Sequence, residues 1–352
     1  MKKKVLDIIY SENRENRLFS IEFFLNILSK IYSALISLRL VLFKNSVLKS
    51  YKAEVPVISI GNITSGGTGK TPFTIFLSDF LVKKGYKPLV VTRGYKGDFE
   101  KTGGVVSDGK NIKCTPLKAG DEAWLIASKT INTSVICGKN KMFSLKKGIN
   151  EFNCNIVILD DGFSHLKLER DIDILLLDDN KPFGNGFVIP RGILREKPEN
   201  IKRADALVYT RSDKDNSFWK KYIFNSMHRQ KIDFIIPGNK KNIYSKSFLF
   251  SGLGSNEAFY ESTEKLGFNI YEHLFFNDHH IYSNKDMEKI IEKTLNSGCD
   301  NIITTIKDYI RIIDKKIEFP VDLIVMDVEI VFFDNKFEKF LMNRLSKIEK
   351  NI

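Results

Sequence analysis

Val55-Pro56-Val57-Ile58-Ser59-Ile60-Gly61-Asn62-Ile63-Thr64-Ser65-Gly66-Gly67-Thr68-Gly69-Lys70-Thr71 decides the fold. A short apolar, β-branched run passes directly into a glycine-rich loop, and the apolar run Phe73 to Leu81, with helical character, follows. In a strand–loop–helix of this kind, backbone N–H groups wrap closely around phosphates and the helix N-terminus adds positive potential. Thr64, Ser65, Gly66, Gly67, Thr68, Gly69, Lys70 and Thr71 are therefore the expected nucleotide-binding residues. Lys70 reaches the β/γ oxygens and Thr71 is a Mg²⁺ ligand. The strict G-x-x-x-x-G-K-[ST] pattern has Gly where Thr64 stands.

Outward from this loop, short apolar runs alternate with helical stretches. The expected strands after the first are Leu89–Thr92, Ser134–Cys137, Ile156–Asp160, Ile172–Leu177, Ala206–Thr210, Phe248–Ser251, Asn301–Thr305 and Leu323–Met326. Several are apolar throughout, as strands covered on both faces are. The alternation predicts an α/β fold, a P-loop NTPase-like doubly wound and mainly parallel sheet, with a smaller C-terminal α/β unit. The expected division is a basic amphipathic segment 1–52, a P-loop core 53–236, a Lys/Asn-rich linker 237–246 and the smaller unit 247–352. One strand delivers Asp160 and Asp161 to its carboxyl end, where a Mg²⁺-ordering carboxylate belongs in phosphoryl-transfer sites.

With 43% apolar and 28% charged residues, the chain is a folded protein and not a disordered one. Four cysteines (Cys114, Cys137, Cys154, Cys299) without C-x-x-C spacing suggest neither a zinc cage nor a disulfide framework, and a reducing compartment. The net charge of +12 favours anionic partners. It is concentrated at the start, where residues 1–52 hold ten Lys/Arg against four Asp/Glu.

Between Leu18 and Phe43, Glu22, Asn26, Ser29, Lys30, Ser33 and Ser37 recur at helical spacing on one face, and the rest is heavily apolar. Lys30 and Arg39 interrupt the run before the ~20 apolar residues of a spanning helix. The expectation is a helix lying in a membrane interface, with Arg14, Arg17, Lys30, Arg39, Lys44 and Lys49 meeting headgroups. The alternative is an amphipathic helix packed on its own domain. Charge set beside an apolar helical face, with no base-stacking platform, argues against nucleic acid as a partner.

Further along stand Thr92-Arg93-Gly94-Tyr95, Gly120-Asp121-Glu122, Leu159-Asp160-Asp161-Gly162-Phe163-Ser164-His165 and Arg191-Gly192-Ile193-Leu194-Arg195-Glu196. Then come Phe250-Ser251-Gly252-Leu253, Asp278-His279-His280 and Thr304-Thr305-Ile306-Lys307-Asp308. With the phosphate loop and Pro72, they resemble, in order and over nearly the whole chain, the tetraacyldisaccharide 4′-kinase family. Two positions depart from its pattern: Ser164 for the usual Gln, and Arg191 for a small residue.

The resemblance implies ATP- and Mg²⁺-dependent phosphorylation of the 4′-hydroxyl of a tetraacylated glucosamine disaccharide 1-phosphate. The product is lipid IVA, formed on the cytoplasmic face of the inner membrane without an obligate protein partner. It implies Asp121 and His279 as the pair that prepares the sugar hydroxyl, Asp160 and Asp161 at the metal, and Tyr95, Glu122, His165, Arg195 and Glu196 as substrate or secondary residues. Read without it, Asp121 equally fits a helix N-cap after Gly120. A membrane-associated P-loop switch is the alternative from another class, since Thr210-Arg211-Ser212-Asp213 resembles the guanine-reading N/T-K-x-D, with Arg211 in place of Lys.

Overall fold

The computed structural model describes residues 7–10, 20–213, 222–238 and 242–350. Arg14 and Arg17 of the expected headgroup contacts, and 239–241 of the expected linker, lie outside them. Twelve strands form one sheet: β1 (Val57–Gly61), β2 (Pro88–Thr92), β3 (Gly104–Asp108), β4 (Ser134–Cys137), β5 (Ile156–Asp160), β6 (Ile172–Asp178), β7 (Ala206–Thr210), β8 (Ile223–Ile236), β9 (Ser247–Ser251), β10 (Ile270–Phe275), β11 (Asn301–Thr305) and β12 (Asp322–Phe332). Their order is β10-β9-β11-β12-β8-β7-β6-β1-β5-β2-β4-β3. All pairings are parallel except β3 with β4 and β8 with β12.

The apolar strands are covered on both sides. Ile58 and Ile60 of β1 and Ile156 and Ile158 of β5 pack in one cluster with Phe73 and Leu77 of helix α2 (Lys70–Lys83), while Val57, Val157 and Leu159 enter another cluster on the other face. Burying each such side chain contributes about 1.5–3 kcal/mol, so these runs are mostly apolar on both faces. The fold is the expected doubly wound α/β sheet.

Strands β3, β8 and β10 were not expected. In β8, Ile-Phe-Asn-Ser-Met-His-Arg-Gln-Lys-Ile-Asp-Phe-Ile-Ile has neither alternation nor a continuous apolar run. Several of its polar residues have tertiary partners, as where Asn225 donates to Ser212 Oγ. β8 joins the two halves: Ile223–Asn225 pair with β7, and Ser226–Ile236 run antiparallel to β12. The final helix, Lys336–Glu349, returns to the first half, placing Phe337 and Leu341 in the cluster with Ile58 and Phe73.

Helix α1 (Ile21–Lys44) begins at Ser20, whose side chain accepts from the Phe23 N–H. Its small polar residues Ser29 and Ser33 are buried, and Ser29 Oγ donates to Val188 O at 2.6 Å. Phe24, Ile27, Leu28, Ile31, Leu35 and Leu38 are exposed. The protein thus covers the serines of the polar stripe and leaves the apolar face outside, the reverse of a helix docked by its hydrophobic face.

Candidate active site

β1 and β5 are neighbours in register, with Ile60 opposite Asp160, so the phosphate loop and the double aspartate leave the sheet side by side. This is the carboxyl edge of a parallel sheet, where open α/β folds bind ligands. The loop is held from two sides. Ser65 N–H and Oγ both donate to Ile193 O, and Arg195 N–H donates to Ile63 O at 2.7 Å. Thr64 bridges Leu194, so the residue in place of a glycine has a β-like conformation that a side chain tolerates. Opposite, Thr210 Oγ1 donates to Thr68 O and an Arg211 nitrogen to Gly67 O at 2.8 Å. Arg211, which the switch alternative assigns to base reading, supports the loop's backbone.

Gly69 precedes α2 at φ +82°, and a Cβ there would lie 2.5 Å from His228 Nε2. Only glycine satisfies both the left-handed backbone and that contact. Gly66 and Gly67 face open space. Lys70 Nζ stands 3.6 Å from Asp161 Oδ1, and Thr71 is buried at the start of the helix.

The two aspartates differ. Asp161 Oδ1 and Oδ2 accept from Arg195 at 3.0 and 3.1 Å. Burial alone would raise its pKa, but the charges of Lys70, Arg195 and Lys141 overcome this and hold it at about 2. Asp160 is buried deeper. Thr92 Oγ1 donates to its Oδ2 at 2.8 Å, whereas Oδ1 has no hydrogen-bond partner, and desolvation pushes its pKa up. Lys141, buried at the start of the helix Lys141–Glu151, donates to the backbone carbonyls of both aspartates. It steadies Asp161, whose φ of +50° is uncommon for a non-glycine residue.

A second cluster is assembled by the C-terminal half. Helix α3 (Asp121–Lys129) starts at Gly120, where a Cβ would meet Tyr95 O at 2.5 Å, so the Arg-Gly-Tyr loop and the Gly-Asp-Glu turn lie against each other. Gly120 is the N-cap, and Asp121 is the first helical residue and makes no cap hydrogen bond. Asp121 Oδ2 instead accepts from Arg311 Nε at 2.7 Å and lies 3.5 Å from His279 Nδ1. Although burial opposes ionisation, the hydrogen bond with His279 and the Arg311 charge carry Asp121 below the usual carboxylate range. His279 has φ +58°, its ring meets Tyr95 edge-on at 5.6 Å, and its Nε2 is 3.9 Å from Asp278 Oδ1.

Arg311 is the residue that sequence reasoning missed. Its side chain is only 6% exposed and also donates to Asp308 Oδ1 and Gly252 O. Asp308 is fully buried and accepts in addition from Tyr282, Thr305 and the Gly252 N–H, which explains the Thr-Thr-x-Lys-Asp motif as scaffolding. The only signal was the i, i+3 spacing of Asp308 and Arg311 on one helix (Ile306–Ile312).

The remaining expected residues divide. Glu122 pairs with Lys307 at 3.5 Å and is close enough to Asp160 to raise its pKa. His165 is half-buried, and desolvation, with the nearby charges of Lys141 and Arg39, lowers its pKa to about 4. Glu196 turns away from the aspartates: it is buried and accepts from Ser164 at 2.7 Å, Asn200 at 3.0 Å and Arg203 at 2.6 Å, fixing the loop that carries Arg195. Ser164 thus has a structural partner, and Arg191 packs its guanidinium over Phe187 and donates to Glu22 O in α1. Of the histidines left unassigned by sequence, His273 bonds Ser251, His280 pairs with Asp286, and His228 packs on Gly69.

A family-wide sequence profile described as tetraacyldisaccharide-1-P 4′-kinase matches residues 21–346. The chain belongs to this family. It is accordingly a kinase. The tetraacyldisaccharide 4′-kinase of Desulfatibacillum aliphaticivorans is 35% identical over 91% of this chain and 92% of its own length. That of Halothermothrix orenii is 37% identical over 88% of each. The crystal structure of Aquifex aeolicus LpxK in complex with ATP superimposes with a TM-score of 0.75 at 29% identity, covering 93% of this chain and 99% of that one.

Proposed function

We propose that the chain transfers the γ-phosphate of ATP to the 4′-hydroxyl of a tetraacylated glucosamine disaccharide 1-phosphate, forming lipid IVA, with Asp121 and His279 preparing the hydroxyl. What supports this reading is a carboxylate–imidazole pair, Asp121 Oδ2 and His279 Nδ1 at 3.5 Å, in a chain with a phosphate loop, with Glu122, next to Asp121, close enough to Asp160 to raise its pKa. A hydrolytic switch needs no such pair, whereas a sugar hydroxyl, a poor nucleophile, does. His279 Nδ1 lies 3.5 Å from Asp121 Oδ2 and 3.3 Å from an Arg311 nitrogen; hydrogen on Nδ1 requires Asp121 to be its hydrogen-bond partner, and Nε2 is then left to accept the hydroxyl proton as oxygen attacks phosphorus. Arg311 fixes Asp121 through Nε and keeps it ionised. Lys70 and Arg195, both beside Asp161, stabilise the negative charge on the transferring phosphoryl group.

The buried, unpartnered Oδ1 of Asp160 and the Thr71 hydroxyl suit a hard cation with oxygen ligands. Mg²⁺ held there supplies neutralising charge to the β- and γ-phosphate oxygens. Tyr95, Glu122 and His165 border the acceptor side. Residues 53–236 act as the nucleotide-binding core and 247–352 as the smaller unit that brings His279 and Arg311, with 237–246 between them.

α1 serves as the attachment to the cytoplasmic face of the inner membrane. Its exposed apolar stripe matches acyl chains, Lys30 and Lys44 are exposed for headgroups, and its 24 residues suffice by length and composition to cross a bilayer as well as to lie on one. A substrate with several acyl chains stays in the membrane, so the enzyme must reach it there. Incubation with γ-phosphate-labelled ATP, Mg²⁺ and the acylated disaccharide phosphate in detergent micelles tests the reading. Label in the lipid is the expected result, and acceptor-independent release of phosphate alone would refute it.

A further inference from the structure

At the foot of α1 the chain forms a cavity of about 470 Å³ between the end of the helix, the segment after it and the turn that follows β5. Phe43, Tyr51 and Met142 give it an apolar wall, and Arg39, Lys49 and Lys167 bring three positive charges to it. Lys146 adds a fourth by standing over the Tyr51 ring at 4.2 Å. Arg39 packs over Phe43, and among the described residues none of these four cations has a carboxylate within ion-pair distance.

The walls are fixed. Ser50 Oγ donates to Leu166 O at 2.6 Å and Tyr51 N–H to Lys167 O at 2.9 Å, which ties the segment after the helix to the turn opposite. The exposed apolar stripe of α1 continues through Val41 to Val47 and Leu48 at the edge of the cavity. A concave site that is apolar on one side, has uncompensated cations on the other and is continuous with a lipid-facing stripe has one natural ligand class.

We propose that this cavity binds the anionic phosphate of a membrane lipid, with the first acyl carbons along Phe43 and Leu48. The assignment rests on α1 lying at a membrane. The phosphate has two possible sources, a bilayer phospholipid or the acceptor lipid's own phosphate, and the chemistry required of the site is the same for both: several N–H donors converging on phosphate oxygens.

The test compares Arg39→Gln/Lys167→Gln with Lys30→Gln/Lys44→Gln, which removes equal charge from α1 outside the cavity. Leu48→Trp fills the cavity and leaves the charge unchanged. Binding of the full chain is measured to vesicles of phosphatidylcholine with and without phosphatidylglycerol, and acceptor kinetics in neutral-detergent micelles free of phospholipid.

A diffuse surface field weakens both double variants equally, because each cation near an anionic surface is then equivalent. A built site makes the cavity pair lose about tenfold more than the control pair, with Leu48→Trp losing the anion-selective part as well. A raised KM for the acceptor at unchanged kcat identifies the acceptor's phosphate. Weakened vesicle binding at unchanged KM identifies a bilayer phospholipid. Equal losses in the two pairs, with Leu48→Trp like wild type, overturn the proposal. If the wild type binds neither vesicle, the membrane reading itself fails, which is distinct from wild-type binding that the cavity variants share.

Discussion

Asp121→Asn removes the charge that His279 and Arg311 face while preserving the shape of the side chain. The fold should survive, because Arg311 keeps its bonds to buried Asp308 and to Gly252 O. The lost charge-assisted hydrogen bond from Arg311 Nε costs about 1.5–3 kcal/mol, and relief of the burial penalty on the carboxylate offsets part of it. Catalysis should fall further. A positioned proton acceptor contributes about 10²–10⁴ in rate, or roughly 3–5 kcal/mol of barrier. The 3.5 Å between Asp121 Oδ2 and His279 Nδ1 makes the two a single unit, since the ring without its partner loses both tautomer and orientation. His279→Gln should therefore lower kcat by a similar factor, and the double variant should be little worse than the poorer single one. The assay is kcat and KM for all four forms with labelled ATP and micellar acceptor, with thermal melts alongside. ATP affinity should change little, as neither residue belongs to the phosphate loop. Losses that multiply in the double variant would refute the unit, and loss of activity that merely follows loss of folded protein would refute the catalytic role.

Lys70→Ala should nearly abolish turnover with little change in melting temperature, because its ion-pair neighbour Asp161 retains Arg195; wild-type kcat would remove the phosphate-loop assignment. Leu28→Glu/Leu35→Glu should release the protein from vesicles and leave its melting temperature nearly unaltered, since both side chains are more than half exposed; a large fall in stability would instead mean that the stripe is packed on protein. His228 titrates at about 3 because burial, with the Arg211 charge, disfavours its cation. The unfolded chain, with an ordinary pKa near 6.5, binds that proton first, so stability is lost as pH falls below 6.5. His228→Met should remove about 2 kcal/mol of the decline between about pH 6.5 and pH 5 in urea melts, and an unchanged slope would discount the buried ring.

The strand starting at Val57 and the loop after it were legible because the signal is local: a short, β-branched apolar run ending in glycine fits a covered strand better than a buried helix, and glycines before Lys-Thr have few uses other than phosphate. Asp160 was legible for the same reason, as a carboxylate ending such a strand. The proposed catalytic pair was named through family resemblance alone. In isolation Asp121 fits a helix cap equally well, and the structure shows that Gly120 has that position.

What only the tertiary structure decided depends on contacts distant in sequence. Arg311 and Lys141 acquire their roles from Asp121, His279 and the aspartate carbonyls, groups that no local pattern links to them. Strand β8 is invisible by composition, because several of its polar side chains find partners in other elements, as Asn225 does in Ser212 and Gln230 in Thr263. The helical spacing of α1 established that it has a polar and an apolar face. Which face meets protein depended on whether the fold offered an acceptor to bury a serine against, and Val188 O does. With Arg191 donating to Glu22 O and Tyr32 packed against the cluster of Val188 and Leu194, that contact accompanies an outward Phe24, Leu28 and Leu35, and hydrophobic periodicity, identical for a helix docked on protein and one facing lipid, carries no information about the direction.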